Sequence, residues 1–238
     1  MITALIFAGG TGKRMNSKSK PKQFLEMHGK PVIIYTLEHF EYHEEVDNIV
    51  IVCLESWIEK MKELIKRYDI SKVTQVIPGG DTGHDSIYAG LCSMRGINAE
   101  DDIVLIHDGV RPLITKDLIT DNIEAVRKYG NVVTAEPARE SVLRSQDGIN
   151  VDAVPNRDVM YTAKAPQSFR YGDILKIYDL ARENGHKSID SAHLLSMYNV
   201  PMHIVPSVKN NIKITEPADF YIFRALYEAL ENQQILGC

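Results

Sequence analysis

Apolar runs with no polar side constrain this chain most. Residues 2–7, 48–53 and 102–106 are nearly unbroken and rich in β-branched side chains. A strand that shows one face to water alternates polar and apolar residues; a strand covered on both faces does not. Between these runs lie segments with apolar residues at helical spacing. Examples are Ile33, Ile34, Leu37 and Phe40 within 32–40, and Trp57, Ile58, Met61, Leu64 and Ile65 within 57–68. This alternation predicts an α/β fold with a mostly parallel sheet flanked by helices. Further strands are expected at 73–77, 132–135 and 202–205. Further helices are expected at 87–94, 115–129, 171–184, just after 188–192, and from Pro217 to about Glu231.

The pattern breaks once. Residues 141–144 and 149–154 flank Ser145-Gln146-Asp147-Gly148, and Asp-Gly between such flanks signals a hairpin. It interrupts the strand–helix alternation, so an arm at about 136–156 is expected to project from the sheet. A second subunit is the simplest cover for it. Residues 154–157 and 165–169 read as extended polar loops with rigid prolines. With no internal repeat, low-complexity tract or linker, residues 1–238 read as one domain plus the arm.

Composition bounds the partners. The chain has 238 residues, 44% of them hydrophobic, and a net charge of −5. An acidic chain is not suited to coating nucleic acid. Lys and Arg gathered in a few loops suit a small anion. Cys53, Cys92 and Cys238 lack metal-ligand spacing; Cys53 and Cys92 sit in apolar context and read as reduced core residues, which favours the cytoplasm. No basic leader precedes the first apolar run, so no signal peptide is expected. No apolar run approaches the roughly 20 residues of a membrane span.

Two loops carry most of the chemistry. The first is Ala8-Gly9-Gly10-Thr11-Gly12-Lys13-Arg14-Met15, continued to Pro21-Lys22-Gln23. Glycines let backbone N–H groups crowd an anion, and Arg14 and Lys22 add full charge. The competing reading is a glycine-rich turn with solvated lysines. The second is Pro78-Gly79-Gly80-Asp81-Thr82-Gly83-His84-Asp85-Ser86, between a strand and a helix, where a ligand can meet a helix N-terminus. Its plainer reading is a capped loop. His107-Asp108-Gly109-Val110-Arg111-Pro112 ends a buried strand, where open α/β sheets place ligands. Asp108 is a candidate Mg²⁺ ligand or a partner that lets Arg111 order the loop, and both can hold. Lys213, between Ile212 and Ile214, is either a surface lysine or a phosphate ligand.

These motifs occur in order with Asn156-Arg157, Pro166-Gln167-Ser168-Phe169 and Asn211-Ile212-Lys213-Ile214-Thr215. Together they resemble the cytidylyltransferases of small polyol phosphates, which include those for methylerythritol 4-phosphate and ribitol 5-phosphate. The likeness runs over nearly the whole chain. It implies a Rossmann-like nucleotidyltransferase fold, a homodimer joined through the arm, and Mg²⁺. It also implies transfer of CMP from CTP to an alditol phosphate with release of pyrophosphate. By position, Arg14 and Lys22 resemble the residues that stabilise charge on the α-phosphate. Ala8, Gly9, Gly10, Thr11 and Gly12 resemble the triphosphate loop, and Gly80, Asp81 and Ser86 the cytosine-reading group. Asp108 resembles the metal ligand, and Arg111, Arg157 and Lys213 a clamp on the incoming phosphate. Ser141, with Arg139 near it, resembles a residue reaching a neighbouring subunit's site.

The chain departs from the family pattern at Gly83, where Arg is usual, and at Ala165 and Ile189, where Thr is usual. Ser141 replaces a common Thr, and His84 is a candidate stand-in for the missing Arg. The double glycine Gly9-Gly10 and Val154-Pro155-Asn156-Arg157 are similar to the ribitol branch. The resemblance therefore implies a polyol phosphate destined for a surface polymer, with methylerythritol phosphate as the alternative acceptor. Two further readings are a nicotinamide-dependent dehydrogenase and a non-catalytic nucleotide sensor. The first lacks an acidic residue at the end of the second strand, Val52-Cys53-Leu54, and leaves Arg14 and Lys22 unexplained.

Overall fold

The computed structural model describes residues 1–9 and 20–236, with side chains through residue 232. Gly10, Thr11, Gly12, Arg14 and Cys238 therefore lie outside the described residues. Seven strands form one sheet in the order β5-β4-β1-β6-β8-β7-β9. They are β1 (Ile2–Ala8), β4 (Asn48–Cys53), β5 (Val73–Pro78), β6 (Ile103–Asp108), β7 (Asn131–Pro137), β8 (Tyr161–Arg170) and β9 (His203–Pro206). A separate small hairpin pairs β2 (Glu26–Met27) with β3 (Lys30–Pro31). The helices are α1 (Val32–Glu41), α2 (Ile58–Arg67), α3 (Gly83–Ser93), α4 (Lys116–Tyr129), α5 (Tyr171–Glu183), α6 (Ser191–Met197) and α7 (Pro217–Leu236).

The unbroken apolar runs are the central parallel strands, and their side chains divide between two cores. From β1, Ile2, Ala4, Ile6 and Ala8 enter one core; Leu5 enters the other, with Phe7 packed against it. In β4, Ile49, Ile51 and Cys53 face the first core, Val50 and Val52 the second. Period-two geometry sends alternate residues to opposite faces, so two covered faces require a strand apolar throughout. Helices α1, α2 and α4 contribute to the first core, and α3, α5 and α6 to the second. A third, smaller cluster joins α1 and α7 through Val32, Tyr35, Ile214 and Phe223.

Two expectations need correction. Residues 165–169 are not a polar loop: they belong to β8, which runs antiparallel between β6 and β7. Its buried polar residues, Gln167 and Ser168, have partners. Ser168 Oγ donates to Asn122 Oδ1 at 2.9 Å, and Gln167 Oε1 accepts from the Ala192 N–H at 2.9 Å. The proline that argued against a strand follows Ala165 through a cis bond. The second correction concerns helix α3, which starts at Gly83 rather than 87. The Thr82 hydroxyl caps it by accepting from the Asp85 N–H.

The arm is only partly a hairpin. Gly148 takes φ +73° at the turn, and Asp147 Oδ1 accepts from the Ile149 and Asn150 N–H groups. The flanks meet in a single bridge, Arg144 to Ala153. Leu143, Ile149, Val151 and Val154 are all exposed. Cross-strand pairs stabilise a ladder through the faces they bury, and these flanks have nothing beneath them within the chain. Among the described residues, no helix is long and apolar enough to cross a membrane.

Candidate active site

Sheet register puts the working loops at one edge. Ala8 pairs with Cys53, and Phe7 with Asp108, so β1, β4 and β6 end level. After β1 the chain builds outward through β4 and β5, then returns to place β6 on the opposite side. A crevice opens at such a reversal. Two adjoining cavities occupy it and share Phe7, Gly83, Asp108 and Lys213.

The first, of about 280 Å³, gathers Ala8, Gly9, Lys22, Gly80, Asp81, Ser86, Asp108 and Lys213. Its glycines have a steric reason. A Cβ at Gly79 would lie 2.9 Å from Ser86 Oγ, one at Gly9 3.2 Å from it, and one at Gly80 2.4 Å from Asp85 Cβ. Ser86 is buried at the meeting of the two loops, and its Oγ accepts from the Gly80 N–H at 3.2 Å. Lys22 is set in a 3-10 turn, Lys22–Phe24, whose other two residues are buried. Gln23 Nε2 donates to the Ala8 carbonyl, and Phe24 stacks on Trp57 at 4.4 Å. The turn that presents the lysine is thereby tied to the end of β1.

The second cavity, of about 230 Å³, adds Arg111, Ala163, Lys164, Ala165, Gln167, Ile189, Asp190 and Ser191. Between the two stands the Asp108 carboxylate. Lys213 Nζ lies 2.6 Å from Oδ1, and Arg111 Nε donates to Oδ2 at 2.7 Å. Burial alone would push the Asp108 carboxyl up. Lys213 and Arg111 outweigh it and hold the group far below the usual carboxylate range. Both sequence readings of Asp108 can therefore stand: it does order Arg111, and its carboxylate faces a cavity. Lys213 lines both cavities and is paired with Asp108.

The loops bearing these charges are pinned by buried groups. Arg111 Nη1 donates to the Asn211 carbonyl at 3.1 Å, and Asn211 Nδ2 donates to the Ala165 carbonyl at 2.7 Å. Val110 accepts from the Ile214 N–H at 3.0 Å. Two histidines brace the loop after β6. His107 Nε2 donates to the Arg111 carbonyl and His39 Nε2 to the Pro112 carbonyl. Burial pushes His107 down to about 3, so it is neutral and donates one proton.

The structure does not bring every expected residue together. Ser141 and Arg157 are exposed, Ser141 on the arm and Arg157 at its base, and neither lines these cavities in its own chain. Arg139 lies on the arm within 3.9 Å of Glu136. Gly10, Thr11, Gly12 and Arg14 fall outside the described residues. Conversely, Lys164, Gln167, Asp190 and Ser191 were not foreseen as site residues. Of these, Gln167 carried a signal, since it is in the Pro166-Gln167 motif. The three departures, Gly83, Ala165 and Ile189, all line the second cavity.

Residues 2–229 match the family described as IspD, 2-C-methyl-D-erythritol 4-phosphate cytidylyltransferase. A ribitol-5-phosphate cytidylyltransferase of Vibrio parahaemolyticus is 48% identical over 238 residues, all of both chains. A 2-C-methyl-D-erythritol 4-phosphate cytidylyltransferase of Clostridium botulinum is 35% identical, covering 96% of this chain and 98% of its own. The crystal structure of a 4-diphosphocytidyl-2C-methyl-D-erythritol synthase from Anaerococcus prevotii superposes with a TM-score of 0.83, at 29% identity and 96% coverage of each chain.

Replacing Asp108 by Asn should destabilise the fold by about 3 kcal/mol at pH 7, because Arg111 is left buried without its counter-charge. The wild-type carboxyl titrates lower folded than unfolded. Its stabilisation is therefore complete above about pH 5 and is lost as the pH falls toward the depressed folded value. Urea midpoints of the two proteins should accordingly converge on acidification from about pH 5. A constant gap down to about pH 2 would mean the ion pairs contribute nothing.

Proposed function

The chain belongs to the IspD cytidylyltransferase family, and we propose that it transfers CMP from CTP to ribitol 5-phosphate, giving CDP-ribitol and pyrophosphate. One observation carries this reading: two cavities meet at a wall of fixed charges, Asp108, Lys213 and Arg111. Full-length identity with the ribitol-5-phosphate enzyme of Vibrio parahaemolyticus, higher than with the methylerythritol enzyme of Clostridium botulinum, supports ribitol as the acceptor.

The chemistry needs little beyond charge and position. A phosphate oxygen of the acceptor attacks the α-phosphorus of CTP, and the bond from that phosphorus to the β-phosphate oxygen breaks. The nucleophile is already anionic, so no strong general base is required. Repulsion between two anions is the obstacle, and cations fixed where charge accumulates lower it. Lys22, in the first cavity, takes that role with Arg14, while Gly80, Asp81 and Ser86 receive the base. Arg111 and Lys213 hold the acceptor phosphate beside the shared wall. In-line placement supplies much of the remaining acceleration.

A divalent metal fits this arrangement in one way. Asp108 engages each oxygen once, with Arg111 and Lys213, has further acceptor capacity, and lines both cavities. Mg²⁺ commonly takes one or two carboxylates and fills its shell with phosphate oxygens and water. Among the described residues, no three His, Cys, Asp or Glu side chains gather to hold a metal unaided. Asp108 with the triphosphate would hold Mg²⁺, which would supply positive charge beside the phosphates.

Exposure of Leu143, Ile149, Val151 and Val154 supports a homodimer in which each arm lies on its neighbour. The arm then carries Ser141, and Arg157 at its base, toward the partner's second cavity. A variant with the arm replaced by a short turn should be monomeric, bind CTP, and lose turnover. Full turnover by such a monomer would remove the arm from the mechanism.

Pyrophosphate release from CTP with ribitol, methylerythritol, arabinitol, glycerol and mannitol phosphates tests the acceptor directly. Ribitol 5-phosphate should give the highest kcat/KM; a preference for methylerythritol phosphate would reassign the chain, and no release with any would leave a nucleotide sensor. In the same assay, Lys22→Ala should lower kcat by about a hundredfold or more with a much smaller change in CTP affinity. Unchanged turnover would exclude Lys22 from the transition state.

A further inference from the structure

One buried polar chain lies outside the reaction scheme. His84, in the first turn of α3, is only 6% exposed. Its ring stacks on Tyr178 of α5 at 4.8 Å, and its Nδ1 lies 3.1 Å from Ser188 Oγ. The Tyr178 hydroxyl is 3.0 Å from Ser191 Oγ. Gln167 of β8 accepts from the Ala192 N–H. The segment 188–192 is thus tied down at Ser188, at Ser191 and at Ala192.

Between the first two ties stand Ile189 and Asp190, and both line the second cavity. Ile189 is 84% exposed, so packing does little to place it. Asp190 uses Oδ1 to cap α6 by accepting from the His193 N–H at 2.8 Å. The positions of both side chains follow the backbone, and the backbone follows its ties. In the same cavity Gly83, next to His84, presents no side chain, and a Cβ there would meet nothing within 4 Å. The first turn of α3 therefore reaches this cavity not through a side chain at 83 but through the brace at 84.

Building on the acceptor reading above, we propose that His84 is a positioning residue. Its hydrogen bond to Ser188 fixes the Ile189–Asp190 rim of the acceptor cavity and so sets affinity for the alditol phosphate without touching it. Burial lowers the pKa of His84, consistent with a neutral ring at the hydrogen bond. Asp85 and Lys187, paired with each other at 3.2 Å, are the charged groups beside it.

Three substitutions separate this role from simple packing. His84→Phe keeps the ring, its burial and its stacking surface but removes Nδ1. Ser188→Ala removes the other partner, and His84→Asn returns a polar atom near the place of Nδ1. His84→Phe and Ser188→Ala should each raise KM for the acceptor about tenfold, the value of one lost hydrogen bond. KM for CTP should stay within about twofold. The double variant should add little to either single one, and His84→Asn should recover part of the loss. Amide exchange over 188–192, measured without substrates, should quicken in His84→Phe. Equal rises in both KM values, additive single effects, or unchanged exchange would each overturn the proposal. Should the wild type use no alditol phosphate, the acceptor reading fails by itself. Exchange then decides alone: faster exchange supports the brace and unchanged exchange overturns it.

Discussion

A buried carboxylate between two cations holds this site in shape. Asp108 is almost fully enclosed, and its charge survives burial only because Arg111 and Lys213 lie against it. The three come from two distant parts of the chain, the end of β6 with the loop after it and the loop before α7. Their meeting therefore ties the end of the parallel half to the C-terminal part of the chain. An unpaired charge in that position would be costly. The loops are correspondingly braced from behind, by His107 and His39 on one side and Asn211 on the other.

The same arrangement suits the proposed chemistry. Joining two phosphates demands positive charge that is already in place, because reorganising solvent or side chains during reaction adds to the barrier. Lys22 owes its place to two buried neighbours, and Arg111 to two hydrogen bonds with groups that are themselves buried. Rigid backing of this kind keeps a cation at a set point as charge develops.

Much of this was legible in the sequence, and for identifiable reasons. Runs such as 48–53 could only be strands covered on both sides, and their alternate residues do enter opposite cores. The glycine loops were legible because close approach leaves glycine few substitutes, as the contacts around Ser86 illustrate. What escaped was the antiparallel strand β8. A proline and two polar residues in 165–169 read as loop, and only partners far away in the chain, Asn122 and Ala192, make their burial tolerable. The arm misled in the other direction. Its turn chemistry was right, yet alternation without a surface to bury yields one bridge rather than a ladder. Lys164 and Asp190 escaped because nothing local distinguishes a cavity-lining charge from a solvated one.

The two cavities draw on different lengths of chain. The first is lined by residues up to Val110, with Lys213 alone from later on; half of the second comes from β8 and from 189–191. Under the proposed assignment of the two cavities, nucleotide recognition and acceptor choice are written in largely separate stretches of the gene. Mutation can redraw the later stretch, swapping one sugar alcohol for another, while the cytidine half is inherited intact. Phe7, Gly83, Asp108 and Lys213 lie on the common border, where a change toward one substrate is felt by the other.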